Sequence, residues 1–278
     1  MPFETELQSI QKTFLQPVVR VEQPTSEFPE LDVTVPDSWD TIQLAPLYDV
    51  HIGNAQHDDK LLAKHLRWIA GTPNVLTWNG GDMIENVLDP KMGHTPTSAE
   101  EQILAATETL APIQHKILFS LPGNHEDRTF KHAQVSSAKY LANNLQLPYF
   151  SDYCFLRIRW RGNNFRILTH HGAGGAQTAG AQLNAARKEL AWTTADMIWT
   201  GHLHQNKVDV VYRVDYDQQT GRAFERDTIV IISPSYLNYF GGYAAKMRLA
   251  PGIRGLSVAT LNPDGRIDAS VHARGRRL

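Results

Sequence analysis

The chain has 278 residues, and its 27 lysines and arginines nearly balance its 29 aspartates and glutamates, for a formal net charge of −2. No global field therefore favours DNA or an anionic membrane, and any affinity for nucleic acid has to be local. The single cysteine, Cys154, excludes an intramolecular disulfide, and no segment is apolar for long enough to span a bilayer. We expect a cytoplasmic protein without membrane contact.

Residues 1–40 are predicted to be an appendage without recognisable chemistry. A short amphipathic helix is expected near Glu4–Leu15, followed by an extended stretch interrupted by Pro24, Pro29 and Pro36. Residues 41–278 are predicted to form one domain that carries all the motifs described below.

From Thr41 the pattern alternates strands, loops and helices. The first predicted elements are a strand at 42–48, a helix at 61–69, a strand at 75–78, a helix at 98–110 and a strand at 117–121. Ser98 and Glu101 have the spacing of a capping box, which marks the start of the second helix.

The second half of the chain is richer in strands. Its predicted elements are a helix at 136–145, strands at 153–160 and 165–169 paired across the turn 161–164, a helix at 181–192, and strands at 197–200, 208–216, 228–232 and 255–271, the last folded at 262–265. Helices early and strands late indicate a layered α/β sandwich.

Five short motifs each follow a predicted strand. They are Asp49-x-His51, Gly81-Asp82, Gly123-Asn124-His125-Glu126, His170-His171-Gly172 and Gly201-His202-Leu203-His204. Alternate residues of an extended segment share a face, so the paired residues of the first and last motifs can turn toward one ion. Oxygen and nitrogen donors without thiolate suit manganese, iron, zinc, cobalt or nickel better than a structural zinc site or a calcium loop.

This ordered set resembles the calcineurin-like metallophosphoesterase superfamily, and its layout is similar to that of small phosphoesterases of bacteria and their phages. The resemblance spans residues 49–204 and implies a four-layer αββα sandwich of two mixed β-sheets, with a dinuclear metal site on strand-end loops. It implies two divalent transition-metal ions, with manganese as the first expectation. By this likeness the first ion is held by Asp49, His51 and His204, the second by Asn124, His171 and His202, and Asp82 bridges them.

The same resemblance implies hydrolysis of a phosphodiester or phosphomonoester. Two adjacent cations lower the pKa of a bridging water, so that hydroxide is available for in-line attack at neutral pH. His125, the histidine of the set that is not a ligand, would act as the general acid that protonates the leaving oxygen. The substrate is expected to be a small or nucleotide-type phosphoester.

Three further residues are candidates for support or substrate binding. Glu85 occupies the position of an acid that orients the catalytic histidine in the serine/threonine phosphatase branch, so it pairs with His125 or is a solvated loop carboxylate. Arg128 clamps a substrate phosphate or forms a surface ion pair. His170 points away from its neighbour His171, so it packs against the fold or supports a ligand.

Three alternative functions stay open at this point. A DNA nuclease would need a local basic surface, for which the candidates are Arg157, Arg159 and Arg161 and the C-terminal Arg274, Arg276 and Arg277. A protein phosphatase is disfavoured, because Asn86 and Pro122 replace two arginines of that branch. A non-catalytic scaffold is disfavoured by the complete set of ligands. The oligomeric state is left open.

Overall fold

The computed structural model describes residues 19–24, 27–87, 97–248, 250–273 and 276–277. The helix expected near Glu4–Leu15 and the basic residue Arg274 lie outside these residues. Within the described part of the chain, no helix combines the length and apolar character that crossing a membrane requires.

Two mixed β-sheets form the centre of the fold. The first sheet contains β1 (Arg20–Glu22), β2 (Glu30–Thr34), β6 (Tyr153–Trp160), β7 (Asn163–His170), β8 (Met197–Thr200), β9 (Lys207–Tyr216) and β10 (Ala223–Ile232). The second contains β3 (Ile42–Leu44), β4 (Val75–Asn79), β5 (Ile117–Ser120), β11 (Gly255–Leu261), β12 (Ile267–Ala273) and β13 (Arg276–Arg277). Their spatial orders are β1-β2-β6-β7-β8-β10-β9 and β13-β12-β11-β3-β4-β5, with parallel and antiparallel pairs in both.

The helices are α1 (Asp59–Gly71), α2 (Ala99–Leu110), α3 (Glu126–Ala133), α4 (Ser137–Asn144), α5 (Ala179–Arg187) and α6 (Tyr243–Lys246), with 3₁₀ turns at Ala111–Lys116 and Lys188–Ala191. The predicted capping box starts α2: the Ser98 hydroxyl accepts from the backbone N–H of Glu101, whose carboxylate accepts from the N–H of Ser98. Two backbone donors that the helix itself leaves unpaired are thus satisfied.

Three apolar clusters define the order of the layers. Between the two sheets lie residues such as Trp78, Trp199 and Ile231. On the outer face of the second sheet, Leu66 of α1 and Ala106 of α2 pack against the strands. On the outer face of the first sheet, Ala186 of α5 does the same. The expected four-layer αββα sandwich is therefore confirmed.

Part of the predicted appendage belongs to the central core. Strand β2 pairs in parallel with β6, and Leu31 and Val33 are fully buried between the sheets. Trp39 joins the same cluster. The prolines kept this segment extended, as expected, but an extended segment with alternating apolar residues can also join the exposed edge of a sheet. The predicted boundary at residue 40 thus falls within one packed unit.

Several strand boundaries differ from the prediction, and β3 ends at Leu44 rather than at residue 48. The β6–β7 turn is a two-residue turn at Arg161 and Gly162, with φ of 48° and 80°, because this geometry matches the twist of the paired strands. Strand β10 begins at Ala223 rather than at Thr228. Its first residues pair only with β9 and are largely exposed, so they lack the apolar pattern of a buried strand.

Candidate metal centre

The five motifs meet at one edge of the sandwich. Loops after β3, β4 and β5 of the second sheet and after β7 and β8 of the first deliver the predicted ligands to a common site. The side chains of Asp49, His51, Asp82 and His171 are buried. Parallel neighbouring strands bring their carboxyl ends to the same edge, which explains why residues far apart in sequence converge.

The backbone of this site adopts an uncommon conformation. Five predicted ligands have left-handed φ values, which are 50° at Asp49, 55° at His51, 53° at Asp82, 67° at His202 and 51° at His204. For a side chain other than glycine this conformation costs about 1–2 kcal/mol per residue. Hydrogen bonds between the loops hold it in place, such as those from the His51 N–H to the Asp82 carbonyl and from the Tyr236 N–H to the Asp49 carbonyl. The loops are thus held in strained positions by their neighbours.

The predicted first group of ligands is assembled. Nε2 of His204 lies 3.2 Å from Oδ1 of Asp49 and 3.2 Å from Nε2 of His51. Asp49, His51, Asp82 and His204 each offer a ligand atom within 4.8 Å of the others. These distances leave room for one ion among two imidazoles and two carboxylates.

The predicted second group lies beside it. Nδ1 of His202 is 2.7 Å from the amide oxygen of Asn124, and Nε2 of His171 is 3.3 Å from the same oxygen. Asp82, His171 and His202 also offer ligand atoms within 4.8 Å of one another. The amide oxygen completes a second set of mixed oxygen and nitrogen donors.

Asp82 lies between the two groups. Its Oδ2 is 3.8 Å from Nε2 of His51 in the first group and 3.3 Å from Nε2 of His171 in the second. Its Oδ1 accepts a hydrogen bond of 2.8 Å from the backbone N–H of His125, which fixes the orientation of the carboxylate. One oxygen atom therefore faces both candidate ion positions, as the resemblance implies.

Hydrogen bonds outside the site decide which imidazole nitrogen faces it. Nδ1 of His171 lies 3.0 Å from the carbonyl of Gly80, and Nε2 of His202 lies 2.8 Å from the carbonyl of Gly174. A carbonyl only accepts, so each of these nitrogens carries the proton. His171 consequently directs Nε2 and His202 directs Nδ1 toward the site, which is the orientation in which each ring can bind a metal.

A second observation indicates that the site can hold divalent cations. Oδ1 of Asp49 is buried without a hydrogen-bond partner, although Oδ2 accepts from the backbone N–H of His202 at 2.8 Å. Burial acts to raise the pKa of Asp49, but His204 and His171 outweigh it and the pKa is lowered. A buried, charged oxygen that faces imidazole nitrogens and accepts no hydrogen bond has the surroundings expected of a metal ligand.

Glu85 has a different partner from the one predicted. Its Oε2 lies 2.9 Å from Nδ1 of His51 and 3.6 Å from Nδ1 of His125. The His125 Nδ1 instead donates to the backbone carbonyl of Glu85 at 2.6 Å. The carboxylate therefore orients a predicted metal ligand, and it is the main chain that orients the predicted acid.

His125 and Arg128 face the same cavity and contact each other. Nη2 of Arg128 is 2.8 Å from Nε2 of His125, and its Nη1 is 3.1 Å from the Glu85 carbonyl. Burial, with the nearby His51, lowers the pKa of His125 to about 4. Nε2 of His125 accepts a hydrogen bond from Arg128, so Arg128 faces the cavity and does not form a surface ion pair.

His170 is not part of this site. It ends β7 with its side chain turned away from His171, and its Nε2 lies 3.5 Å from a carboxylate oxygen of Glu189. Burial, followed by the nearby His171, lowers its pKa to about 4. We predicted that His170 either packs against the fold or supports a ligand, and the structure agrees with packing.

Glu126 is a supporting residue whose role the sequence did not reveal. Its buried carboxylate accepts hydrogen bonds of 2.7–3.1 Å from four backbone N–H groups, those of Asp82, Met83, Ile84 and Gly123. It therefore ties the loop that carries the bridging aspartate to the loop that carries Asn124. The only signal was its place at the end of the Gly-Asn-His-Glu motif, which by itself names no partner.

Gly123 allows the same two loops to approach closely. A Cβ atom at this position would lie 2.1 Å from Oδ1 of Asp82. Any other residue would displace the bridging carboxylate, so the requirement for glycine comes from close packing rather than from backbone freedom.

The two ligand groups open into a cavity of about 530 Å³. Besides the metal centre it is lined by apolar side chains such as Leu203, Leu237 and Tyr239 and by carboxamides such as Gln177 and Asn238. Among its described lining residues, Arg128 is the one lysine or arginine.

The order of the motifs, the two mixed sheets and the position of Asp82 between the two ligand groups agree with what the resemblance implies. The chain has the four-layer fold that the resemblance implies.

No protein-family model matches the chain, and no curated protein is significantly similar to it. Among solved structures it is similar to a double mutant of Vps29 from Entamoeba histolytica, with 13% identity, 86% of this chain and 98% of that chain covered, and a TM-score of 0.40.

Two further solved structures are similar to the chain. A Thermotoga maritima protein shares 13% identity over 84% of this chain and 99% of its own, with a TM-score of 0.33. A predicted phosphoesterase from Streptococcus pneumoniae shares 11% identity over 85% and 100%, with a TM-score of 0.35. Similarities at these identities and TM-scores say nothing about the activity of this chain.

Proposed function

We propose that the protein is a metal-dependent phosphoester hydrolase with a dinuclear centre. The observation that carries the proposal is the position of Asp82, whose Oδ2 faces imidazole nitrogens of both ligand groups. The unpartnered buried Oδ1 of Asp49 supports it. The residues that would hold the ions are Asp49, His51, Asp82, Asn124, His171, His202 and His204.

Two divalent ions in this position would supply a water of lowered pKa and positive charge against the phosphoryl oxygens. The chain's own contribution is to keep the donors ready. His171 and His202 are held in the correct tautomer by backbone carbonyls, and Asp82 is held by the N–H of His125. Little reorganisation is then needed when the substrate binds, which lowers the barrier.

His125 and Arg128 are proposed to act on the substrate itself. Nε2 of His125 lies 3.8 Å from Oδ2 of Asp82, on the cavity side of the centre, so a leaving oxygen can reach it. Without substrate, Arg128 donates to this nitrogen. A phosphoryl group would compete for the guanidinium, because the fork of its N–H groups matches phosphate oxygens, and Nε2 would then be free to hold the proton for the leaving oxygen.

The cavity favours an uncharged leaving group. Its lining beyond the metal centre is apolar or carries carboxamides, and a second phosphate would find no further cation among the described lining residues. Tyr239 and Leu237 supply an apolar wall for a ring. We therefore favour a monoester or diester with a small organic or nucleoside group as the substrate.

The DNA nuclease is the second candidate, and the described basic residues do not favour it. Both Arg157 and Arg159 donate to the carboxylate of Asp32 on β2, which compensates one of their two positive charges. Degradation of linear DNA by the manganese-loaded protein at moderate salt would restore that candidate.

The proposal is tested with the manganese-loaded full chain on a chromogenic phosphodiester and phosphomonoester. Asp82→Asn and His202→Ala are expected to lose bound metal and activity together, because each removes a donor from the centre. His132→Ala, an exposed histidine on α3, is the matched control and should keep both. Full turnover by either ligand variant would refute the dinuclear centre.

A second variant separates acid catalysis from metal binding. His125→Ala should keep its metal content and lose about 10²–10⁴-fold in rate on an ester with an alkyl leaving group. The loss should be smaller for a nitrophenyl leaving group, which departs without a proton. Equal losses on both substrates would contradict the acid role.

A further inference from the structure

Strand β9 forms the outer edge of the first sheet. Within the described residues it pairs on one side with β10 and has no neighbour on the other. Its ten residues keep one regular antiparallel register with β10 and contain no proline. Edge strands of this length are usually blocked by a proline, a bulge or a covering segment, because their free N–H and C=O groups pair readily with another strand.

One face of β9 exposes large apolar side chains. Val208, Val210, Tyr212, Val214 and Tyr216 alternate along the strand and are 39–68% exposed. They lie on the same face as Ile229 and Ile231 of β10, which belong to the core between the two sheets. The stripe thus continues the core face of the sheet beyond the area that the second sheet covers, and contiguous apolar surface of this kind marks a contact site.

The opposite face of β9 carries charges in a particular order. Lys207, Asp209, Arg213 and Asp215 alternate with the apolar stripe, and the order of signs is positive, negative, positive, negative. Reversal of the chain direction inverts this order of signs. A second β9 that runs antiparallel therefore presents the complementary charge at each of these positions when Val211 is the centre.

We propose that β9 pairs antiparallel with β9 of a second copy of this chain, with Val211 on the two-fold axis. Residues directly opposite in an antiparallel pair share a face. On the charged face Lys207 then meets Asp215, and Asp209 meets Arg213, each twice by symmetry. On the other face Val208 meets Val214, and Val210 meets Tyr212. The two seven-stranded sheets become continuous across the contact.

Neighbouring registers lack this complementarity. In the register centred on Val210, Lys207 lies opposite Arg213. In the register centred on Tyr212, Asp209 lies opposite Asp215. Each of these two registers therefore brings like charges together. A shift by a single residue places the apolar stripe of one copy against the charged face of the other. The register centred on Val211 satisfies both faces at once.

The charged side chains also have contacts within the chain, and these are compatible with the dimer. They include Asp209 with Arg187 at 2.6 Å, Asp215 with Arg226 at 3.4 Å, and Arg213 with Thr228 at 2.9 Å and with the Leu190 carbonyl at 3.2 Å. A carboxylate has about four acceptor positions, so Asp209 and Asp215 can each take a second partner.

The pairing is tested by sedimentation of the full chain over a range of concentrations. Wild-type protein is expected to form dimers. Lys207→Asp and Asp215→Lys each create two like-charge pairs in a homodimer, so either variant alone should dimerise about tenfold more weakly or worse. An equimolar mixture restores opposite charges at both positions and should dimerise like the wild type. A monomeric wild type, or a mixture no tighter than its components, would overturn the proposal.

Disulfide trapping tests the register independently. Val211→Cys places two thiols opposite each other at the axis, at a separation that a disulfide spans. This variant should crosslink under mild oxidation, whereas Val210→Cys and Tyr212→Cys, the centres of the rejected registers, should not. The native Cys154 is buried and gives no background. Crosslinking of Val210→Cys or Tyr212→Cys in preference to Val211→Cys would overturn the Val211-centred contact.

Discussion

Glu85 orients two imidazoles with two different groups. Its carboxylate lies 2.9 Å from Nδ1 of His51, and its backbone carbonyl lies 2.6 Å from Nδ1 of His125. Since both Nδ1 atoms are engaged, both rings present Nε2 toward Asp82. A predicted ligand and a predicted acid are therefore aligned by one residue, but only the ligand depends on its side chain.

This difference predicts the effect of Glu85→Ala. Loss of the carboxylate frees the His51 ring, and the affinity for manganese should fall about 10–100-fold, as is usual when the partner of a metal-binding histidine is removed. Titration calorimetry measures the affinity, with Glu108→Ala, an exposed glutamate of α2, as the control. Affinity equal to that of the control would show that Glu85 does not position His51.

Glu126 should matter for stability more than any exposed glutamate. In Glu126→Ala four backbone N–H groups lose their acceptor, and the free energy of unfolding should fall by about 3 kcal/mol or more. Urea denaturation of the metal-free protein measures it. Glu101→Ala, which removes half of the exposed capping box of α2, should cost much less. Similar losses in the two variants would contradict the loop-tying role.

Gly123→Ala tests the close approach of two loops. The added methyl group would lie 2.1 Å from Oδ1 of Asp82, so the bridging carboxylate has to move. Metal content and activity should both fall by at least about tenfold, since a misplacement of about 1 Å at a reacting centre has effects of this size or larger. In Gly175→Ala the methyl group meets no atom within 4 Å, and this variant should behave as the wild type.

Lys116 predicts a pH dependence of stability. Its ammonium is buried and donates to the carbonyl of Thr72, and burial lowers its pKa from 10.5 to about 8. Between these two pH values the unfolded chain binds a proton that the folded chain has released. The free energy of unfolding should therefore rise with pH in this window, by on the order of 3 kcal/mol from this group.

The comparison with Lys116→Met isolates that contribution. Other lysines and tyrosines titrate in the same window, but they do so in both proteins. The difference between wild type and variant should favour the wild type increasingly as the pH rises from 8 to 10.5. A difference that stays constant over this range would show that burial does not shift this lysine.

Much of the architecture could be predicted because it depends on local patterns. The apolar spacing of α1, the capping box of α2 and the alternation along β6 each report which face of an element is buried. The site could be predicted in composition for a similar reason. Donors such as Asp49 and His51 follow strands whose carboxyl ends meet. The type of each side chain shows which donor atom it can offer to a metal ion.

What the sequence by itself determined was thus most of the elements after residue 40, the layered fold, the predicted donor atoms and the order in which the chain supplies them. The tertiary structure alone decided which residues contact across the fold: Glu85 with His51, Arg128 with His125, Glu126 with four backbone groups, and Asp32 with the arginines of β6. The physical reason is that a local pattern reports burial and conformation, whereas a pairing between residues far apart in the chain depends on how the strands and loops are arranged in space.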